Sequence, residues 1–200
     1  YSASISACEK CGEWQQALHL LLDMQSYGLT PNVITCSAAI SSCEQGGQWQ
    51  LALLLLVEMP GRSLSPDVVT YTAAISVCGR GEAWKQALDL LTVMQGRMLM
   101  PNVITYNAAI SACERGGMWL QALDILVLIR RRSTAPNIIT YNAAISACEK
   151  GGEWQRALDL LSEVESEGLD LSVITCNAAI SACQKGAAWQ MALFLLQGMW

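Results

Sequence analysis

Between Pro101 and Met118 the apolar positions Tyr106, Ala109, Ile110 and Cys113 fall at spacings of three and four, which lines them on one face of a helix of roughly three turns. Gly116 and Gly117 follow, and glycine leaves a helix readily through a left-handed conformation. A second stripe runs from Trp119 through Ala122, Leu123 and Leu126 and predicts a second helix, which a polar and basic stretch at Arg130–Ala135 and then Pro136 bring to an end. This alternation of helix A and helix B recurs along the chain: Tyr1–Cys11 with Trp14–Met24, Thr35–Gln45 with Trp49–Met59, Thr70–Arg80 with Trp84–Met94, and so on to Thr175–Lys185 with Trp189–Met199. Alanine pairs such as Ala38-Ala39 and Ala143-Ala144 permit close approach of helices, while each tryptophan is expected to supply the large buried area of its unit. On that expectation Trp119→Ala costs roughly 3–5 kcal/mol and loosens two neighbouring units.

The period is fixed. Tryptophans stand at Trp14, Trp49, Trp84, Trp119, Trp154 and Trp189, 35 residues apart, and cysteines keep the same step at Cys8, Cys43, Cys78, Cys113, Cys148 and Cys183. Prolines do so at Pro31, Pro66, Pro101 and Pro136. A period of this size marks a stacked array. The expected fold is all-α, a right-handed superhelical α-solenoid of helix-turn-helix repeats, forming a single array over residues 1–200. Its repeats are 1–32 (partial), 33–67, 68–102, 103–137, 138–172 and 173–200 (partial).

Stacking explains a composition that is 52% apolar and only 14% charged, because each unit spends its residues on neighbours and no central core is needed. Apolar runs such as Ala52–Val57 and Ala192–Leu196 are too short to span a membrane. Six of the nine cysteines recur at one helical position, which fits small buried hydrophobes in a reducing compartment better than a disulfide framework. The chain opens in mid-phrase at Tyr1 and stops at Trp200 before its last phrase is complete, so it reads as an excerpt of a longer array.

Catalytic chemistry finds little support. Cys8-x-x-Cys11 resembles half a metal site, yet no second pair accompanies it, and Cys11 stands where other repeats have Gly46, Gly116 or Gly151. His19, the one histidine, occupies the position of Asp89 and Asp159 and is expected to be a solvated surface residue. No His-x-Glu with Cys-x-x-Cys, glycine-rich phosphate loop or nucleophile–base arrangement is present. The reading is a non-enzymatic chain with no catalytic residue, metal, cofactor or small-molecule substrate.

Val-Ile-Thr-Tyr-Asn opening helix A at Val103–Asn107, Gly-Gly between the helices, Ala-Leu in helix B and Gly-Leu-x-Pro-Asn at Gly28–Asn32 together resemble the pentatricopeptide repeat family, in its pure-repeat class, over the whole chain. The related tetratricopeptide phrase runs at 34 residues with a different tryptophan–glycine–tyrosine pattern and is not found. Cys36 and Cys176 replace the usual tyrosine and Leu171 the closing proline. The resemblance implies sequence-specific binding of single-stranded RNA at about one base per repeat, in a mitochondrion or chloroplast, in RNA processing, stabilisation or translation, with processing or nuclease partners.

By that resemblance, the edge of each base is read by a polar residue early in helix A, here Ser2, Ser37, Thr72, Asn107, Asn142 and Asn177, together with the last residue of the same repeat, Asn32, Asp67, Asn102, Asn137 and Ser172. The family rule gives purines to Ser/Thr and pyrimidines to Asn. An ionised Asp is acceptor-only and suits the ring N–H of guanine or uracil, so the implied site is 5′-A-G-A-(C/U)-C-(C/U)-3′. The loop members are also what helix N-caps require, whereas capping does not explain the variation at the helix members. Ile34, Val69, Ile104, Ile139 and Ile174 are placed to sandwich bases, or simply to pack between repeats.

Lys10, Arg80, Arg115, Lys150 and Lys185 end helix A in five of six repeats, Gln45 being the exception, and stacking would gather them into a stripe facing phosphates. Compensation of the helix dipole is their other role. Acidic residues are expected elsewhere, as at Asp89, Asp124 and Asp159 of helix B. Five phosphate contacts predict a slope of about −3.5 for log K against log[salt] on a single strand. The net charge of −5, with a pI near 4.8, favours the alternative of a helical scaffold that binds a protein or peptide, as tetratricopeptide arrays do.

Overall fold

The computed structural model describes residues 1–132 and 134–198. Met199, the expected end of the last helix, Trp200, and Ser133 of the basic stretch lie outside the described residues. The elements are α1 (Ser2–Cys11), α2 (Trp14–Ser26), α3 (Val33–Ser42), α4 (Trp49–Gly61), α5 (Val68–Arg80), α6 (Trp84–Gly96), α7 (Val103–Arg115), α8 (Trp119–Arg131), α9 (Ile138–Gly151), α10 (Trp154–Ser166), α11 (Val173–Lys185) and α12 (Trp189–Gly198). Among the described residues all regular structure is helical, and the fold class is the all-α helical-repeat solenoid that the period predicts.

Helices α3, α5 and α11 begin two residues before the expected Thr35, Thr70 and Thr175, and the cause is capping. Asn32, Asp67, Asn137 and Ser172 sit in extended backbone, and each side-chain oxygen accepts the amide N–H of the threonine three residues on. At Asp67 and Asn137 the threonine hydroxyl answers by accepting from the cap's own N–H, which completes a reciprocal box. At the other end α3 stops at Ser42, short of the expected Gln45, where Cys43 and Glu44 turn through bonds to Ile40 and Ser41. The B helices run past the expected Met24, Met59 and Met94, and α8 takes in Arg130 and Arg131 of the stretch expected to close its unit. They continue to a left-handed residue that reverses the chain: Gly28, Ser63, Met98 and Gly168, all in one register. A second left-handed register follows helix A at Gly12, Gly47, Glu82, Gly117, Gly152 and Ala187.

The chain forms two compact units, Tyr1–Ala112 and Cys113–Trp200, with the division inside α7. In the first, α1, α3 and α5 pack in succession while α2 and α4 each fill the angle between two of them. Its core joins Cys36, Ile40, Tyr71, Ala74 and Val77 of the A helices to Leu56, Met59 and Met94 of the B helices. In the second, α9 meets α8, α10 and α11, and Tyr141, Ala144, Ile145 and Cys148 lie buried with Leu160, Leu161 and Val164 of α10.

The tryptophans differ from expectation. The deepest large side chains are Tyr106, Tyr141 and a set of Ile and Met, whereas Trp14, Trp49, Trp119 and Trp154 are half-buried and Trp189 is 62% exposed. Each of those four half-buried rings lies against a glycine of the following repeat: Gly46, Gly81, Gly151 and Gly186 respectively. A Cβ at Gly46 would stand 2.8 Å from Trp14 Nε1, closer than atoms approach. The tryptophan is therefore a lateral strut between repeats, and Trp119→Ala is expected to lose about 2–3 kcal/mol, less than a fully buried ring.

Candidate nucleic-acid interface

One threonine per repeat organises the reading positions. Thr35, Thr70, Thr105, Thr140 and Thr175 are all completely buried, each in the first turn of an A helix. The Thr35 hydroxyl donates to Asn32 Oδ1 at 2.8 Å and contacts the Ser2 hydroxyl at 2.9 Å. Thr70 joins Asp67 at 2.8 Å to Ser37 at 2.7 Å, and Thr105 joins Asn102 at 3.1 Å to Thr72 at 2.7 Å. In the second unit Thr175 donates to Asn142 Oδ1 at 2.5 Å and meets the Ser172 hydroxyl at 2.8 Å. In these four cases the helix member and the loop member of one predicted pair are tied through a single hydroxyl of the next repeat.

The proton count then limits what each pair can present. Ser37 and Thr72 each have one hydroxyl hydrogen, which goes either to the helix carbonyl, Val33 O at 2.8 Å or Val68 O at 2.7 Å, or to the tying threonine, so it is engaged in either case and a lone pair remains for a ligand. Asn142 has its oxygen engaged by Thr175, which leaves its NH2 group to donate. Asn137 caps α9 through Thr140, Asn107 is half-buried, and Asn177 is exposed. The loop members do serve as caps, each accepting the threonine N–H through one side-chain oxygen.

Ile34, Val69, Ile104, Ile139 and Ile174 are 59–70% exposed. As the second residue of its A helix, each points off the buried face, and packing between repeats does not absorb it. In the first unit Val69 and Ile104 stand with Thr72, Asn102, Ser76 and Glu44 around one open cavity of about 290 Å³. Paired exposed aliphatics bordering a reading pair make a slot suited to a flat ring.

The expectation that acidic residues lie away from the cation stripe is corrected. Lys10, Arg80, Arg115, Lys150 and Lys185 are exposed, but acidic residues are not confined to helix B. Glu44 accepts from Arg80 Nε at 3.4 Å, Glu114 from Lys150 Nζ at 3.1 Å and Glu149 from Lys185 Nζ at 3.0 Å. The same carboxylate oxygen accepts a serine hydroxyl from the following A helix, Ser76 at 3.0 Å, Ser146 at 3.0 Å and Ser181 at 2.8 Å. A glutamate near the end of helix A, directly before Gln45, Arg115 or Lys150, reaches the cation of the next repeat. The threonines, glutamates and serines escaped sequence reasoning, although the threonines and serines recur at the period of 35 and the glutamates share one register that Gly79 and Gln184 interrupt.

Behind this face the cysteine row is inert. Burial pushes the thiols of Cys43 and Cys148 up to about 11 and those of Cys78 and Cys113 up to about 12. His19 pairs with Asp23 at 3.7 Å on the solvated side of α2.

The model of the PPR repeat family matches residues 31–80, 66–115, 101–150 and 136–185, and that of the single PPR repeat matches residues 1–29. Among solved structures, the chain is similar to the pentatricopeptide repeat protein PPR10 in complex with an 18-nt psaJ RNA element, with a TM-score of 0.78 and 25% identity over 96% of this chain. Similarity to PPR10 from maize has a TM-score of 0.75 and 27% identity over 100% of this chain. The chain spans 28% of the length of these PPR10 structures. The PPR domain of Arabidopsis thaliana protein-only RNase P 1, in complex with tRNA, shares the fold at a TM-score of 0.74 and 14% identity, over 94% of this chain and 96% of that one. No curated protein matches the chain in sequence.

Proposed function

The chain belongs to the pentatricopeptide repeat family, and from that premise we propose that it binds single-stranded RNA at about one base per repeat. The observation that carries the reading is the threonine tie, because it holds two polar side chains at a fixed separation beside an exposed aliphatic slot. A base inserted there has its faces covered by Val69 and Ile104 and its edge turned to Thr72 and Asn102. The binding of RNA by PPR10 and of tRNA by the RNase P domain supports the ligand class.

The proposed site is 5′-A-G-A-(C/U)-C-(C/U)-3′, with the N-terminal repeat at the 5′ base. An acceptor-presenting Ser37 or Thr72 and a donor-presenting Asn142 demand different base edges, in keeping with the split between purine and pyrimidine. The proposed setting is a mitochondrial or chloroplast transcript that is protected, remodelled or directed to processing, with catalysis supplied by a partner.

Fluorescence anisotropy with labelled 5′-AGAUCU-3′ in a neutral flank, against a scrambled copy, tests this. Tighter binding of the ordered site is expected, and Asn142→Ala should weaken it about 2–10-fold, the value of one or two hydrogen bonds. Equal affinity for both sequences would remove base reading. A peptide scaffold is the second reading, favoured by the carboxylates along the cation stripe, and it predicts no RNA binding even at low salt.

A further inference from the structure

Three of the five cations that face the proposed strand are already held by carboxylates of the same chain. The arrangement recurs in both units with one geometry: a single glutamate oxygen accepts from a serine hydroxyl and from the Lys or Arg beyond it on the next A helix. The serine makes these more than passing surface pairs, since it fixes the carboxylate in the groove whether or not the flexible cation stays with it. Glu44 also lines two cavities, the slot beside Thr72 and Asn102 and a neighbouring one of about 390 Å³ that carries Lys10 and Arg80. It therefore stands between base and backbone positions.

Arg115 is different. In the register of these pairs the residue matched to it is Gly79, not glutamate, and Arg115 has no ion pair among the described residues. Lys10 likewise has none among the described residues.

Resting on the RNA reading above, we infer that Glu44, Glu114 and Glu149 stand in for RNA phosphates, so that an incoming backbone competes with them for Arg80, Lys150 and Lys185 while Lys10 and Arg115 make the uncontested contacts. A cation that keeps its carboxylate presents little net charge and releases no counterion from the strand. Exposed ion pairs are weak and exchange readily, so the carboxylates lower affinity without closing the groove. They remove mainly the part of binding that is blind to sequence, which raises the share carried by the base-reading pairs.

The test compares wild type with the E44Q/E114Q/E149Q variant, whose amides keep the acceptor for serine and the side-chain volume, with thermal melts checking the fold. Anisotropy is measured over a salt series with 5′-AGAUCU-3′ and its scrambled copy. Two free cations predict a wild-type slope of about −1.4 and five predict about −3.5 in the variant. Affinity for the scrambled RNA should rise at least about fivefold, and discrimination between the two RNAs should narrow. Arg115→Ala should weaken wild-type binding more than Arg80→Ala does, and the two should become equal in the triple variant. If the triple variant unfolds, Glu114→Gln alone should steepen the slope by about 0.7.

Wild-type binding with an unchanged slope and affinity in the variant would overturn the competition and leave RNA binding intact, the glutamates then being only struts between helices. Binding by the variant alone would uphold it. Absence of binding by both proteins at low salt would overturn this inference together with the RNA reading.

Discussion

At Thr105 one buried hydroxyl serves both Thr72 and Asn102, so Thr105→Val removes both bonds while conserving volume. The expected result is a loss of about 1–2 kcal/mol in urea unfolding, with the preference at the third base of the site relaxed and affinity for scrambled RNA retained. An unchanged base preference would make the threonine a cap only. The positions proposed to read bases stand out in the sequence because they vary beside a constant phrase, whereas the threonine tie does not, since constancy alone does not distinguish a buried hydrogen-bond bridge from a packing residue. Of the six recurring cysteines, Cys43, Cys78, Cys113, Cys148 and Cys183 are the buried hydrophobes that the pattern predicts, while Cys8 is half-buried. Folding raises the thiol pKa of Cys43, Cys78, Cys113 and Cys148 above the ordinary 9.0, so in alkali the native chain holds more protons than the unfolded one. Stability is then complete below pH 9 and falls as pH rises toward 11 or 12, by about 1.4 kcal/mol per thiol per pH unit. Urea midpoints at pH 8 and pH 10 should show this fall, and Cys78→Ala should reduce it.

The helices themselves follow from apolar spacing, but their ends do not. Spacing marks only residues that face the core, and Ile34 and Val69 are helical without doing so, while Val33 and Val68 pack against it only in part; all four are set by the caps before them. The left-handed exits show the same separation between pattern and backbone. Gly28 and Gly168 suit the exit from helix B, while Ser63 at φ 60 and Met98 at φ 60 occupy it against the preference of L-residues. Met98 is 88% exposed and so contributes little packing in exchange. Met98→Gly is therefore expected to stabilise the chain by about 0.5–1 kcal/mol, the relief of a left-handed side chain less the added entropy of glycine when unfolded. A melting temperature unchanged or lowered would show that the methionine packs in a way its exposure conceals.

Across the whole molecule, burial is uneven. Ile5 is the one buried residue of α1, and Ala17 and Leu21 are the buried residues of α2, against seven each in α5 and α9. Hydrogen exchange should therefore open α1 and α2 well before α5 and α9, instead of in one cooperative event. The sequence made the period and the acidic balance plain, but not where the acid sits, because the partners in each Glu–Ser–cation set lie in successive repeats and meet only when repeats stack. The strut between tryptophan and glycine has the same property, with half of each joint encoded in one repeat and half in the next. A gene crossover that is in phase by one period thus rebuilds every joint it cuts, while one out of phase sets a ring against a side chain. Arrays of this kind can lengthen or shorten by whole repeats in a single genetic event, and on the proposed reading the length of RNA addressed changes with no interface needing to evolve again.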